Sequence, residues 1–143
     1  MSCKSAIYTA NNTPSTITLS VAQPSAVLPL GTVIRRFGKN VQLSGNGILL
    51  NGGGYFDVDA SITLTPVAAG NYTITLFEDG VAVPGAIQTM TVGAGATVNF
   101  NIPALVRLQC CDDSATLTMV LTTTATLPAT ITLNNDGVVV EKI

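Results

Sequence analysis

The chain has 143 residues, of which only 10% are charged, and its formal net charge is −2 at pH 7. The basic residues are scattered and form no patch that could follow a phosphate backbone, which excludes nucleic acid as a partner. Histidine is absent, so the commonest general base and metal ligand is missing, and we predict neither a catalytic site nor a cofactor.

The N-terminal residues contain no export signal. The sequence turns polar at Asn11-Asn12, so no apolar core follows Lys4. The longest apolar runs, such as Ala26 to Leu30, are far shorter than the roughly 20 residues that span a bilayer. We therefore expect a protein that starts in the cytoplasm and uses no membrane. Residues 1–25 are predicted as an N-terminal strand and arm, and residues 26–143 as a head within a single domain.

A small basic group surrounds Phe37-Gly38. Arg35, Arg36 and Lys39 could grip a phosphate or an acidic partner. They could instead cap a loop at an exposed strand end or bridge to a neighbouring subunit. Three charges are too few to steer a ligand from a distance, so the structural interpretation is favoured.

Alternating apolar and polar residues dominate the rest of the chain. In the run from Tyr55 to Thr65, every second residue from Phe56 to Leu64 is apolar and the residues from Asp57 onward between and after them are Asp, Ser and Thr, which is typical of a half-buried antiparallel strand. The same period of two recurs at residues 72–76, 97–102, 116–121 and 130–133. Roughly ten short strands at this spacing predict a sandwich or barrel. No window has a period of 3.6, so we expect no helix longer than about one turn.

Turn signals separate these runs. They lie at Ser44–Gly47, Asn51–Gly54, Glu78–Gly80, Gly93–Gly95 and Asn134–Gly137. Asn-Gly and Asp-Gly steps supply the positive φ angles that tight hairpins need. Pro103 interrupts what would be the longest strand, from Thr97 to Gln109, and predicts an edge, a bulge or two separate strands there.

Asp57 and Asp59 are the carboxylates best spaced for chemistry. Two residues apart in a strand, they share one face at a separation of roughly 7 Å and could bind a cation or act as an acid/base pair. Nothing in the sequence indicates that the pair is buried or perturbed, so a solvated face is the favoured interpretation.

The string Cys110-Cys111-Asp112-Asp113 is the most unusual in the chain. Either thiol could reach Cys3 if the N-terminal strand lies beside this loop, and Cys3 with Cys111 is the candidate disulfide. Reduced structural thiols are favoured, because a cytoplasmic start disfavours disulfides. A vicinal bond stays open, as does a soft-metal site in which three subunits pool these thiolates and carboxylates.

The segment GNYTITLFEDGVAVPGA, from Gly70 to Ala86, resembles the trimeric jelly-roll heads related to tumour necrosis factor and to the complement globular head. In bacterial members a G-x-Y strand is followed by a hairpin reading (N/D)G-x-x-(V/I)-P-G, here Asp79–Gly85. The strand start Gly54–Val58 and the C-terminal strand Val138–Ile143 also resemble that family, including the closing Glu-Lys of spore-surface heads.

Two other segments, Cys3–Asn11 and Ile34–Gly38, resemble small uncharacterised proteins of gut Firmicutes and their phages. Together the resemblances imply an all-β, antiparallel jelly-roll sandwich of about ten strands. They also imply a homotrimer that packs through one apolar sheet face. The expected trimer or attachment contacts are Ile7, Tyr8, Arg35, Arg36 and Ile143.

A trimer with no catalytic group is predicted to be a structural protein of a virion. It would decorate or extend a phage particle as a head fibre, decoration or baseplate-type component, with itself and other virion or surface proteins as partners. The alternative is a receptor- or carbohydrate-binding module on a phage, bacterial cell or spore surface. With no Trp, three Tyr and four Phe, the chain offers little for stacking on a host glycan. An enzyme is disfavoured, because no nucleophile motif is present.

Overall fold

The computed structural model describes residues 4–109 and 114–143, and every regular element in them is a β-strand. The strands are β1 (Ala6–Asn11), β2 (Ser15–Leu19), β3 (Ser25–Val27), β4 (Thr32–Phe37), β5 (Val41–Ser44), β6 (Gly47–Leu50), β7 (Gly54–Pro66), β8 (Gly70–Glu78), β9 (Val81–Val92), β10 (Val98–Leu108), β11 (Ala115–Thr123) and β12 (Ala129–Lys142). Over these ranges, no helix is long and apolar enough to cross a bilayer.

Two antiparallel six-stranded sheets face each other. Sheet A has the order β10-β7-β12-β1-β4, with β2 also paired to β12. Sheet B has the order β5-β6-β11-β8-β9, with β3 also paired to β11. The prediction of an all-β antiparallel sandwich is therefore confirmed, with twelve strands in the described residues where about ten were predicted. The N-terminal segment takes part in it, since β1 lies between β12 and β4 inside sheet A.

The core lies between the sheets and follows the alternation in the sequence. Along β7 the apolar residues from Phe56 to Leu64 are buried at every second position, while Asp57 and Asp59 are exposed. On β11 the inward positions are again every second residue, from Ala115 to Leu121. One buried cluster joins the side chains of both sheets. Burial of this apolar surface, about 25 cal/mol per Å², is the main force that holds the sheets together.

The predicted hairpin after β8 forms a tight turn. Asp79 has φ 50° and Gly80 has φ 80°, so both occupy the left-handed region that the Asp-Gly step was expected to supply. The Asp79 carboxylate accepts a hydrogen bond from the backbone N–H of Thr116 at 2.8 Å, which ties the turn to β11. Asp79 thus stabilises the turn in two ways, through the positive φ that its backbone adopts and through the hydrogen bond that its side chain accepts.

Substituting Asp79→Ala should lower the free energy of unfolding by about 1–2 kcal/mol, because alanine resists a positive φ and leaves the Thr116 N–H without its acceptor. Asp79→Asn keeps both the tolerance of positive φ and an acceptor oxygen, so it should cost less than half as much. Urea unfolding of the two variants measures the difference. Equal losses would show that the carboxylate charge, and not the turn geometry, stabilises this corner.

The prediction of an edge strand from Pro103 and the prediction of a turn at Asn134–Gly137 had different outcomes. Pro103 lies in β10, which is the edge strand of sheet A, so the expectation of an edge is confirmed. The turn predicted at Asn134–Gly137 is wrong. β12 continues through these residues, and a register shift against β7 between Leu133 and Asn135 absorbs one extra residue. A bulge inside a long strand uses the same polar residues as a turn, which is why the sequence pattern misled.

Candidate functional site

The outer face of sheet A carries an unusual mixture of apolar and charged side chains. Strand register places them in two rows that cross from β4 to β10. One row reads Arg35, Tyr8, Val139, Asp59, Pro103, and the other reads Phe37, Ala6, Glu141, Asp57, Leu105. We call these ten positions the A face.

The β4 side of the A face is largely apolar. Phe37 is 60% exposed and Tyr8 is 39% exposed. Aromatic side chains exposed side by side in this way mark a surface that binds a partner. Together with Ala6, Arg35 and Val139 they line a shallow depression of about 190 Å³. Leu105, on the opposite edge strand, is 58% exposed. The A face therefore offers apolar surface at both sides and a depression that could receive a side chain.

Charge divides the A face in two. Asp57 lies directly opposite Glu141, and Asp59 is two residues further along β7, so three carboxylates cluster on the β12–β7 side. Like charges at opposed positions repel each other and destabilise a sheet. Arg35 lies on the β4 side, with β1 and β12 between it and Asp59.

In residues 4–109 and 114–143, no group of three Cys, Asp or Glu is arranged to hold a metal.

The edge strand β4 is exposed along its whole length. Arg36 turns away from the A face, and its Nε donates a hydrogen bond to the carbonyl oxygen of Val41 at 2.6 Å. This contact fixes the loop between β4 and β5. An exposed edge could pair with another chain, and the two arginines on β4 are the kind of charged residues that restrain such pairing.

Of the other two predicted contacts, Ile7 is buried and Ile143 is exposed. Ile7 is fully buried, so its side chain belongs to the core and does not reach the surface. Ile143 lies at the end of the sandwich, where it lines a cavity with Lys4, Phe37 and Lys142. The candidate thiol and metal residues Cys3, Cys110, Cys111, Asp112 and Asp113 lie outside the described residues, and so does the candidate disulfide.

A buried carboxylate in β12 was not predicted from the sequence. Asp136 is only 3% exposed, and within the described residues neither of its carboxylate oxygens has a hydrogen-bond partner. Burial raises the pKa of Asp136 from 3.8 to about 7. Its strand neighbours are Asn11 on β1 and Ile62 on β7, neither of which carries a charge. The only sequence signal was an Asp in a run of turn residues.

These features define the class of fold. The two sheets, with the first and last strands paired at the centre of sheet A, form a jelly roll of the tumour-necrosis-factor type. No protein-family model matches the sequence, and no curated protein matches it either.

Solved structures agree with that fold over almost the whole chain. Murine APRIL at pH 5.0 is similar with a TM-score of 0.67 and 11% identity, covering 98% of this chain and 99% of that one. The globular domain of zebrafish complement 1qA has a TM-score of 0.65 at 10% identity, covering 98% and 96%. The PRD1 vertex protein P5 has a TM-score of 0.64 at 14% identity, covering 100% and 99%. At such identities the likeness establishes the fold.

Proposed function

We propose that the chain is a non-enzymatic structural protein that assembles as a homotrimer through the A face and forms part of a phage particle. The observation that carries the trimer is the A face itself, because exposed Tyr8 and Phe37 surround an apolar depression. A fold shared with the PRD1 vertex protein P5 supports a place on a particle. The resemblance to proteins of gut Firmicutes and their phages stays a prediction.

Charge complementarity supports a second copy of this chain as the occupant of the A face. Arg35 lies at one side of the face, and Asp57, Asp59 and Glu141 lie at the other. A contact in which the β4 side of one copy meets the β7 side of the next pairs opposite charges and relieves the repulsion among the carboxylates. Closed symmetry would also cover the exposed edge strands, which protects the sandwich from open-ended association.

Light scattering on the purified protein tests the association. Each chain has a mass of 14.7 kDa, and we expect a particle with the mass of three chains. A single species with the mass of one chain, at concentrations up to about 1 mM where even weak complexes form, would overturn the trimer.

Mass spectrometry of purified phage particles tests the role separately. We expect peptides of this chain in particles that have been washed free of lysate, in a fixed ratio to the major capsid protein. Their absence from such particles would overturn the particle role while leaving the trimer intact. In that case a glycan array would test the alternative, a surface-binding module.

A further inference from the structure

One end of the sandwich gathers basic residues from distant parts of the chain. A cavity of about 540 Å³ is lined by Lys4, Gly38, Lys39, Asn40, Gly52 and Lys142. We call it the lysine cleft. The chain has six Lys and Arg residues in all, so half of them line this one cavity. The sequence did not predict the grouping, because Lys4 and Lys142 lie at opposite ends of the chain and only the pairing of β1 with β12 brings them together.

The floor of the lysine cleft is fixed by hydrogen bonds. The Asn40 side chain donates from Nδ2 to the Asn51 carbonyl oxygen at 2.9 Å and accepts from the Ser5 hydroxyl at 3.0 Å. The Asn40 backbone N–H donates to the same hydroxyl at 3.2 Å. Ser5 is buried, and the hydrogen bonds of this network are partly buried. The hydrogen bonds thus fix the position of Asn40 before any ligand arrives, which lowers the entropic cost of binding.

Glycines leave room around this network. A side chain on Gly52 would collide with Nδ2 of Asn40, and one on Gly38 would collide with the Ser5 hydroxyl. Both glycines also have a positive φ. The Lys142 Nζ lies 3.8 Å from the place that a Cβ on Gly52 would occupy, so the ammonium group reaches over the glycine loop and into the cleft.

Three lysine side chains line one cavity, and their like charges repel each other unless an anion lies between them. The chain as a whole is negative, so this grouping is not the result of a generally basic surface. Glu141 opposes the charge of the three lysines from the adjoining cavity of about 290 Å³, which Lys4, Lys142 and Ile143 also line. Ammonium groups are point charges with several donors and suit a phosphate, whose charge is spread over its oxygens.

We propose that the lysine cleft is a binding site for a phosphate group, held by Lys4, Lys39 and Lys142. The group could belong to a phosphodiester-linked surface polymer or to a free phosphate, since both present the same oxygens. The site does not require the association of subunits, because all three lysines come from one chain.

Titration calorimetry of the full chain with pyrophosphate tests this site. The salt should be about 10 mM, where charges are screened only beyond roughly 30 Å. We expect saturable binding with one pyrophosphate per chain. Lys39→Gln and Lys142→Gln should each weaken it about tenfold, because each removes a charge-assisted hydrogen bond. Arg107→Gln is the matched control, since it removes the same charge from the stack over Tyr55 and should leave binding unchanged.

The same titration with poly(glycerol phosphate) and with neutral glycerol shows whether the bound phosphate group belongs to a polymer or to a free phosphate. If the polymer binds more tightly than pyrophosphate per phosphate group, the ligand is a surface polymer. If the two bind equally per phosphate group, the ligand is a free phosphate. Glycerol, which has no phosphate, should not bind. Two results would overturn the site. One is no saturable binding of pyrophosphate up to about 10 mM, the range of a very weak site. The other is an equal loss in Arg107→Gln, which would indicate attraction by overall charge alone.

Discussion

Replacing the buried carboxylate, Asp136→Asn, should stabilise the protein by up to about 4 kcal/mol at pH 8, and the gain should vanish near pH 4. The reason is that burial raises the pKa of Asp136 from 3.8 to about 7 in the folded chain. Below pH 3.8 the group is protonated in both the folded and the unfolded states, so it contributes nothing to the pH dependence.

Between these two pKa values the folded chain holds a proton that the unfolded chain releases. The free energy of unfolding of the natural protein therefore falls by about 1.4 kcal/mol for each pH unit from pH 4 to pH 7. Above pH 7 both states are ionised, and the full cost of an unpaired buried charge remains. The Asp136→Asn variant has no such proton. The difference in the free energy of unfolding between this variant and the natural protein therefore reports the contribution of the Asp136 carboxyl group alone.

Chemical unfolding at a series of pH values measures the effect, with the protein concentration held fixed because association shifts apparent stability. Asp79→Asn is the matched control, since it makes the same chemical change in an exposed turn. It should alter the free energy of unfolding by less than about 1 kcal/mol at every pH. A gain for Asp136→Asn that is the same at pH 4 and pH 8 would show that the carboxyl group is not the titrating cause.

The strands of this fold could be predicted from the sequence, because a half-buried sheet has one apolar face and the residues of this chain alternate between apolar and polar. The alternation in β7 predicted which side chains are buried, and the Asp-Gly step predicted the left-handed turn after β8. Both features depend on residues that are neighbours in sequence. Pro103 also marked its edge strand correctly, since a proline lacks the donor that an interior strand requires.

The sites were harder to predict, because they depend on pairing between distant segments. The lysine cleft needs the first and last strands side by side, and the A face needs the register of five strands. The burial of Asp136 depends on the register shift in β12, which a local pattern of polar residues cannot distinguish from a turn. Local chemistry thus predicted the elements, whereas topology determines which charges meet.

Tyr8→Glu should convert the proposed trimer into single chains. Tyr8 lies in the apolar depression of the A face directly opposite Arg35, so the new carboxylate would replace the aromatic contact with a buried charge and would compete with the next subunit's carboxylates for Arg35. Such burial costs several kcal/mol, and about 1.4 kcal/mol already changes an association constant tenfold. Light scattering should therefore give the mass of one chain. Val21→Glu is the control, since Val21 is 80% exposed in the connection between β2 and β3, and this variant should remain a trimer.

A charge exchange tests which sides of the A face meet. Within one chain, Arg35 and Asp59 are separated by three strand spacings, or about 14 Å, which is too far for an ion pair. Arg35→Glu should therefore weaken association by adding repulsion between copies, and the double variant Arg35→Glu with Asp59→Arg should restore it. The double variant Arg35→Glu with Glu78→Arg returns the same net charge at a position in sheet B, away from the A face, and should not restore association. Restoration by Asp59→Arg and not by Glu78→Arg would therefore show that positions 35 and 59 are close across the interface. If the double variant with Asp59→Arg dissociates further than Arg35→Glu alone, the β4 side does not meet the β7 side.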